Sequence, residues 1–456
     1  MSLGANEFIA KPYNRQIILN RMDRLLKLQE STSLINSLEK DSLTDLFTKD
    51  FFYRYAESII ERNTETRYFI HVTDIQNFKV INKKYGEDYG DVLLKNIAEL
   101  GIRQLEGYVI GGRLDDDRFV ALRIDQQTPV ERDEALLCKV LENYSLPNVS
   151  IKSGYYRENA ENSVREMCDR ALLALGRIKE SYSINSAEYD DTIRQQIEQE
   201  EMILEDMDDA LKMHQFYVYY QPKHDPRTGR IGGAEALVRW IHPKLGYLSP
   251  DKFIPLFERN GFITSLDCYV LDEVCRFIRD RNSKGKSVCP ISVNLSRRDL
   301  ERDHEVENIV SIVDRYRISH ELIHLEITES AYSDNAQKIA QAVSRLHELG
   351  FVIELDDFGV GYSTLTILNE LELDVMKLDI SIIRNDIPGS EKNILDFSMD
   401  LAKMVGLSTV AEGVETEAQI ERLRDLNCDF VQGFYFAKPM PQKEFENYMD
   451  SRDEKK

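Results

Sequence analysis

From Gln215 onward, eight short apolar runs end near Gln221, Arg239, Asn294, Glu326, Asp357, Lys377, Glu412 and Gln432, and most lead into stretches of helical spacing such as Gln337 to Leu349 or Glu417 to Leu426. Strand-then-helix repetition of that count over about 230 residues fits a (β/α)8 barrel. An open doubly wound sheet shares the alternation. Hard oxygen ligands separate the two: Glu235 in G-G-A-E-A-L-V-R-W, Asn294 in C-P-I-S-V-N-L-S, Glu326 in I-H-L-E-I-T-E-S, Asp356 and Asp357 in V-I-E-L-D-D-F-G, and Glu412 in S-T-V-A-E-G-V-E. A barrel gathers the ends of many strands at one rim, whereas an open sheet spreads them apart.

Without any further context, Glu235, Asn294, Glu326, Asp356 and Asp357 supply four carboxylates and one amide, with no His or Cys. Such a set suits hard divalent cations, Mg2+ or Mn2+. Adjacent Asp356 and Asp357 would let one residue bridge two ions while its neighbour binds one. Two ions about 3.5 to 4 Å apart favour in-line attack on a phosphodiester. Arg239 and Lys377 are cations on the same acidic rim, placed to hold a phosphate or the attacking hydroxide; the plainer alternative is that each pairs a nearby carboxylate. The Gly-rich F-G-V-G-Y-S-T-L after Asp357 reads as a loop that gates or shapes the site.

Composition narrows the partners. At 456 residues the chain holds two or three domains, and its net charge of -22 argues against a nucleic-acid polymer bound through a basic surface. No run reaches the roughly 18 apolar residues of a membrane span, and no secretory h-region opens the chain, so a cytoplasmic protein with no membrane contact is expected. The six cysteines lack any C-x-x-C and read as reduced, packed thiols.

The barrel motifs carry a resemblance. Y-Y-Q-P-K, G-A-E-A-L-V-R-W, S-V-N-L-S, L-E-I-T-E-S, D-D-F-G-V-G-Y-S-T-L, V-M-K-L-D, A-E-G-V-E-T and V-Q-G-F-Y-F-A-K-P-M resemble the motifs of the EAL domain family, the cyclic-di-GMP phosphodiesterases, over about residues 201 to 449. The resemblance implies hydrolysis of cyclic di-GMP to linear pGpG with two Mg2+ or Mn2+ ions per barrel. Glu235, Asn294, Glu326 and Asp356 would then hold the first metal and Asp356 and Asp357 the second, with Glu412 completing or orienting it. Lys377 matches the lysine at the nucleophilic water, Gln221 and Arg239 match substrate contacts, and Glu329 matches a glutamate bracing the loop after Asp357. Asp379, Glu415 and Gln432 match residues lining the rim. The family also implies a homodimer. Val360 and Thr364 depart from the usual Thr and Ser of that loop, which bears on rate and dimer coupling. A non-catalytic cyclic-di-GMP receptor is the alternative, and it would be expected to lose metal ligands.

Residues 41 to 189 alternate helix and strand: a helix over Phe51 to Glu61, a strand over Tyr68 to Thr73, a helix over Asp88 to Gln104, then a hairpin. D-S-L-T-D-L-F, D-I-Q-N-F-K-V-I-N, G-D-V-L-L and G-R-L-D-D-D-R-F resemble a GGDEF domain, the fold of diguanylate cyclases. Asp115 and Asp116 stand where two glycines would admit GTP phosphates, and Arg118 replaces the second acid of a signature in which Asp117 is kept; side chains and negative charge there oppose cyclase activity. Asp74 and Asp117 match metal ligands and Asn82 and Asp91 guanine contacts, while Gly176 stands where a lysine is expected. The domain is therefore expected to be a non-catalytic partner, binding a nucleotide or only packing.

Residues 190 to 206 read as a solvated linking helix, with the barrel over 207 to 450. Residues 1 to 40, with Lys11 and Pro12, resemble the last strand, Lys-Pro turn and final helix of a receiver domain.

Overall fold

The computed structural model describes residues 39–126, 130–142, 149–157, 162–179, 181, 183–332, 335–359, 364–384, 386 and 393–453. The receiver-like segment up to residue 38 and the departure at Val360 lie outside them. Thr364 opens the helix Thr364–Glu370. The chain divides into two compact units between Ile197 and Glu198. Among the described residues no helix is long and apolar enough to cross a membrane.

The first unit is built on a sheet of strands β1 (Phe47–Thr48), β2 (Tyr68–Ile75), β3 (Tyr108–Arg113), β4 (Arg118–Ile124), β5 (Ile151–Tyr156) and β6 (Ser186–Glu188), in the order β1-β3-β4-β2-β5-β6. All eight residues of β2 are buried, as a strand covered on both faces requires. On one face Ile70 and Val72 meet Phe52, Met167 and Ala171 of the helices Lys49–Arg62 and Val164–Ile178. On the other, Ile75 and Phe119 meet Phe78, Leu93 and Leu137. The helix expected over Asp88 to Gln104 is regular only over Glu87–Asn96; residues 97 to 104 continue as one wide and one tight turn.

The second unit is a closed barrel of eight strands: β7 (Phe216–His224), β8 (Ile231–His242), β10 (Ile291–Asn294), β11 (Ile323–Thr328), β12 (Val352–Phe358), β13 (Val375–Leu378), β14 (Ser408–Ala411) and β15 (Phe430–Val431). Two short edge pieces, β9 (Gly246–Leu248) and β16 (Met440–Pro441), add to β8 and β7. Seven strands run parallel, but β7 is reversed, pairing antiparallel with β8 (Gln221 opposite Glu235) and with β15 (His224 opposite Val431). The reason is local. The turn D-P-R-T-G-R, closed by Asp225 N–H to the Arg230 carbonyl with Gly229 at φ 69°, makes a hairpin, and a short turn can join only antiparallel strands. The runs expected to end near Gln221 and Arg239 therefore continue to His224 and His242.

The acidic stretch after Asp190 forms the helix Asp191–Lys212. It is not solvated all round: Ile203 and Ala210 are buried with Phe216, Trp240, Phe253 and Phe257.

Two glycines fix how the rim loops approach. Gly413 has φ 64°, and a Cβ there would lie 2.2 Å from Ile380; a Cβ on Gly433 would lie 2.2 Å from the Val414 carbonyl oxygen and 2.3 Å from its nitrogen. Backbone cannot yield as a side chain can. Gly433→Ala is expected to destabilise the barrel by about 1–3 kcal/mol. Gly176→Ala, in an open helical position with nothing within 4 Å, is expected to stabilise its own unit by about 0.5–1 kcal/mol. Thermal melts of the two variants check this, and equal melting temperatures would contradict it.

Candidate active site

Side chains of alternate strand residues point to one face, and in this barrel that face is the interior. Each of the eight strands places one polar residue in a single ring: Gln221, Glu235, Asn294, Glu326, Asp356 and Lys377 within strands β7, β8, β10, β11, β12 and β13, and Glu412 and Gln432 directly after β14 and β15. Glu235 lies in the middle of its long strand, not at an end as expected.

Lys377 stands at the centre of this ring and is fully buried. Its Nζ lies 2.8 Å from Glu412, 2.9 Å from Glu326, 2.9 Å from Asp356 and 3.8 Å from Glu235. None of these contacts is aligned as a hydrogen bond, so the ammonium is held as a charge among charges. Gln432 Nε2 donates to Glu235 Oε2 at 2.5 Å and to Gln221 Oε1 at 3.1 Å, and Asn294 Nδ2 approaches Glu235 Oε1 at 3.4 Å. Of the two cations weighed above, Lys377 pairs carboxylates. Arg239 does not: it donates to the Val238 carbonyl at 2.8 Å and lies over the Tyr219 ring.

Asp357 reaches the ring by a different route. Consecutive strand residues face opposite sides, yet the register of β12 against β13 shifts between Leu355 and Phe358, and Asp357 adopts a left-handed φ of 56°. Its backbone N–H donates to Asp356 Oδ1 at 2.9 Å. Burial, then the neighbouring Asp356 and Asp379, push its carboxyl above the usual range. A non-glycine residue held in this region is strained, and such strain concentrates at functional sites.

The ring carries more negative than positive charge. Burial and then Glu235 hold Glu326 well above the ordinary carboxylate range, and burial pushes Glu412 up to about 7 although Lys377 opposes it. Lys377 is held firmly protonated, because its four carboxylates outweigh the burial that opposes its charge.

The donor set fits hard divalent cations: the ligating atoms are all oxygen, and the charge deficit is one that a divalent ion would relieve. As the side chains stand, no group of three or more His, Cys, Asp or Glu among the described residues converges as metal ligands would. The Lys377 ammonium fills that centre.

A cavity of about 790 Å³ opens beside the ring, lined by Glu235, Asn294 and Arg239 and by Arg259, Arg297 and Arg298. The last three arginines escaped sequence reasoning: Arg297 and Arg298 lie just past S-V-N-L-S, and Arg259 joins them only through folding. In the cavity wall Asp267 is held well above its ordinary pKa by burial and by Asp299.

Other expected site residues lie further out. Asp379 Oδ1 accepts from Ser381 N–H, and Glu415 pairs with Arg384 at 3.2 Å. Glu329 is buried at the start of the turn Glu329–Tyr332 after β11, but the loop it was expected to brace includes residues outside those described.

In the first unit, Asp74 is buried and fully engaged. Arg118 Nε lies 2.9 Å from Oδ2, Gln76 Nε2 donates to Oδ1 at 2.7 Å, and Lys179 stands 3.7 Å away. Asp115 remains exposed and pairs with Arg118 at 3.5 Å, and the Asp116 carbonyl accepts from Arg113. Burial and then Asp74 raise the pKa of Asp117. A guanidinium thus occupies the place beside Asp74 where a cation would be expected, and the residues do not fit a metal there. Of the expected guanine contacts, Asn82 Oδ1 is buried against Gly90, where a Cβ would fall 1.9 Å away, and Asp91 is exposed.

Comparison with known proteins agrees with this division. Residues 204–439 match the EAL domain family, and residues 38–183 match the family described as diguanylate cyclase, GGDEF domain. Among curated relatives, the cyclic di-GMP phosphodiesterase NbdA of Pseudomonas aeruginosa is 32% identical over 446 residues, covering 95% of this chain and 56% of that protein. The bifunctional diguanylate cyclase/cyclic di-GMP phosphodiesterase MucR of the same organism is 30% identical over 422 residues, covering 90% of this chain and 62% of that protein. The chain thus spans little more than half the length of these relatives. A solved structure described as the PaMucR phosphodiesterase in complex with c-di-GMP superposes with a TM-score of 0.51 at 35% identity, covering 54% of this chain and 99% of that one. With the family matched across the whole barrel and its polar ring in place, the chain belongs to the EAL domain family, and its barrel follows a GGDEF domain.

Proposed function

We propose that the barrel is a metal-dependent phosphodiesterase that opens cyclic di-GMP to linear pGpG. The observation that carries this is the ring itself: four carboxylates gathered around one buried lysine, with Asp357 and the Asn294 amide close by and a cavity lined by four arginines alongside. Glu235, Asn294, Glu326 and Asp356 would hold one divalent cation, Mg2+ or Mn2+, and Asp356 and Asp357 a second, with Glu412 completing or orienting it. Cations there would supply Lewis acidity and lower the pKa of a water. The chain's own groups would do the rest. Arg239 holds a phosphate oxygen in the cavity, and Gln432, which donates to both Gln221 and Glu235, orients the substrate edge together with Gln221. Lys377 holds the attacking hydroxide and offsets the charge that grows on phosphorus. The bond from phosphorus to the 3′ oxygen breaks, leaving a 3′ hydroxyl and a 5′ phosphate.

We assign the GGDEF domain a non-catalytic role. Asp115 and Asp116 crowd the phosphate turn, and Arg118 neutralises Asp74. The family resemblance also favours a homodimer, and an apolar face supports it: in the helix Ile394–Val405, Ile394, Phe397 and Met404 are 63%, 60% and 84% exposed. Such a face is costly to leave in water. All six cysteines are free, which suits a reducing cytoplasm.

Purified protein incubated with cyclic di-GMP and Mg2+ or Mn2+ is expected to yield pGpG by chromatography, and Glu235→Gln to lower kcat by about 100-fold or more. Tight binding of intact substrate without turnover would instead make the protein a receptor. GTP is expected to remain unconverted, and its cyclisation would overturn the role given to the first unit. In sedimentation, the wild type is expected to run as a dimer and Phe397→Asp/Met404→Asp as a monomer; a monomeric wild type would remove the dimer assignment.

A further inference from the structure

A second polar layer lies one step below the ring, and the proposed chemistry does not use it. Lys223, Ser292, His324 and Glu354 each sit two residues before or after a ring member on the same strand: Gln221, Asn294, Glu326 and Asp356. Two-residue spacing puts them on the same inward face. Lys223 closes Y-Y-Q-P-K, a motif in which only the glutamine was given a role.

The contacts form a closed network. Lys223 Nζ donates to Ser292 Oγ at 2.6 Å, Glu354 Oε2 at 2.6 Å and Glu326 Oε1 at 3.1 Å, which uses all three of its protons. Ser292 Oγ donates onward to Glu354 Oε1 at 3.0 Å, and His324 Nδ1 reaches the same oxygen at 2.5 Å. Lys223, Ser292, Glu326 and Glu354 are all buried. Placing an ion pair in a barrel interior costs several kcal/mol of desolvation, and apolar residues of equal volume commonly serve stability as well or better.

What the pair does is visible at Glu326. Its Oε1 is drawn down to Lys223, and its Oε2 faces Lys377 in the ring at 2.9 Å. We propose, on the footing that the barrel is the metal-dependent hydrolase described above, that Lys223 is a positioning residue: it anchors one oxygen of Glu326 from below and presents the other to the cation site. Glu354 and Ser292 in turn fix the Lys223 ammonium. Supporting contacts of this kind around a ligand carboxylate are worth about 10–100-fold in metal affinity.

The test is direct titration with Mn2+ alone, counting free ion by electron paramagnetic resonance, on the full chain without substrate. Lys223→Met by itself leaves Glu326 and Glu354 buried without their cation and invites misfolding, so the informative variant is Lys223→Met/Glu354→Leu, which removes the pair and keeps the volume. Its expected Mn2+ affinity is about 10–100-fold weaker with a near wild-type melting temperature. Glu354→Gln, which keeps Lys223 on Glu326, is expected to stay within about threefold of wild type, far less than the loss of the supporting contact itself. Should the double variant fail to fold, Lys223→Met/Glu354→Gln, which also removes both charges of the pair, carries the test: a weakened affinity supports the proposal and an unchanged one overturns it. A folded double variant that binds Mn2+ like the wild type shows Lys223 to be packing only, while pGpG formation by the wild type still stands. A wild type that neither binds Mn2+ nor cleaves cyclic di-GMP overturns the metal-dependent reading and this proposal with it.

Discussion

The barrel is organised around an unbalanced charge. Glu235, Glu326, Asp356 and Glu412 surround the fully buried Lys377 ammonium, with Asp357 at the edge. Burial, more than the repulsion between carboxylates, raises the pKa values of Glu326 and Glu412 above the ordinary range. Only closure of the sheet makes such crowding possible, since each strand contributes one member of the ring. The reversed β7 completes that closure and brings Gln221 opposite Glu235.

Much of this was legible in the sequence because strand geometry is local. The apolar runs marked the strands, and the polar residues in or just past them marked the ring. Other features depend on contacts distant in sequence. The reversal of β7 was signalled by D-P-R-T-G-R, a hairpin turn that an expectation of uniform strand-helix repetition passed over. The left-handed backbone at Asp357 breaks the alternation expected of adjacent strand residues, yet nothing in D-D-F-G announces it. Arg259 joins the adjacent pair Arg297 and Arg298 only through folding of the cavity wall. Lys223 was in plain view within a motif, but its partner Glu354 lies 131 residues away.

The two units answer the same electrostatic problem differently. In the first, Arg118 from the hairpin itself neutralises buried Asp74, so the charge is settled within the chain. In the barrel Lys377 faces four carboxylates and Lys223, one layer below, faces two, so acids outnumber the buried cations.

The central claim is the proposal that the ring around Lys377 binds divalent cations. A crystal structure of the protein equilibrated with Mn2+, with data collected at the manganese absorption edge, addresses it most directly. The account predicts two anomalous peaks among Glu235, Asn294, Glu326, Asp356 and Asp357, with Lys377 Nζ withdrawn from the centre of the carboxylates. Absence of anomalous density at millimolar Mn2+, with Lys377 still at the centre, would contradict it.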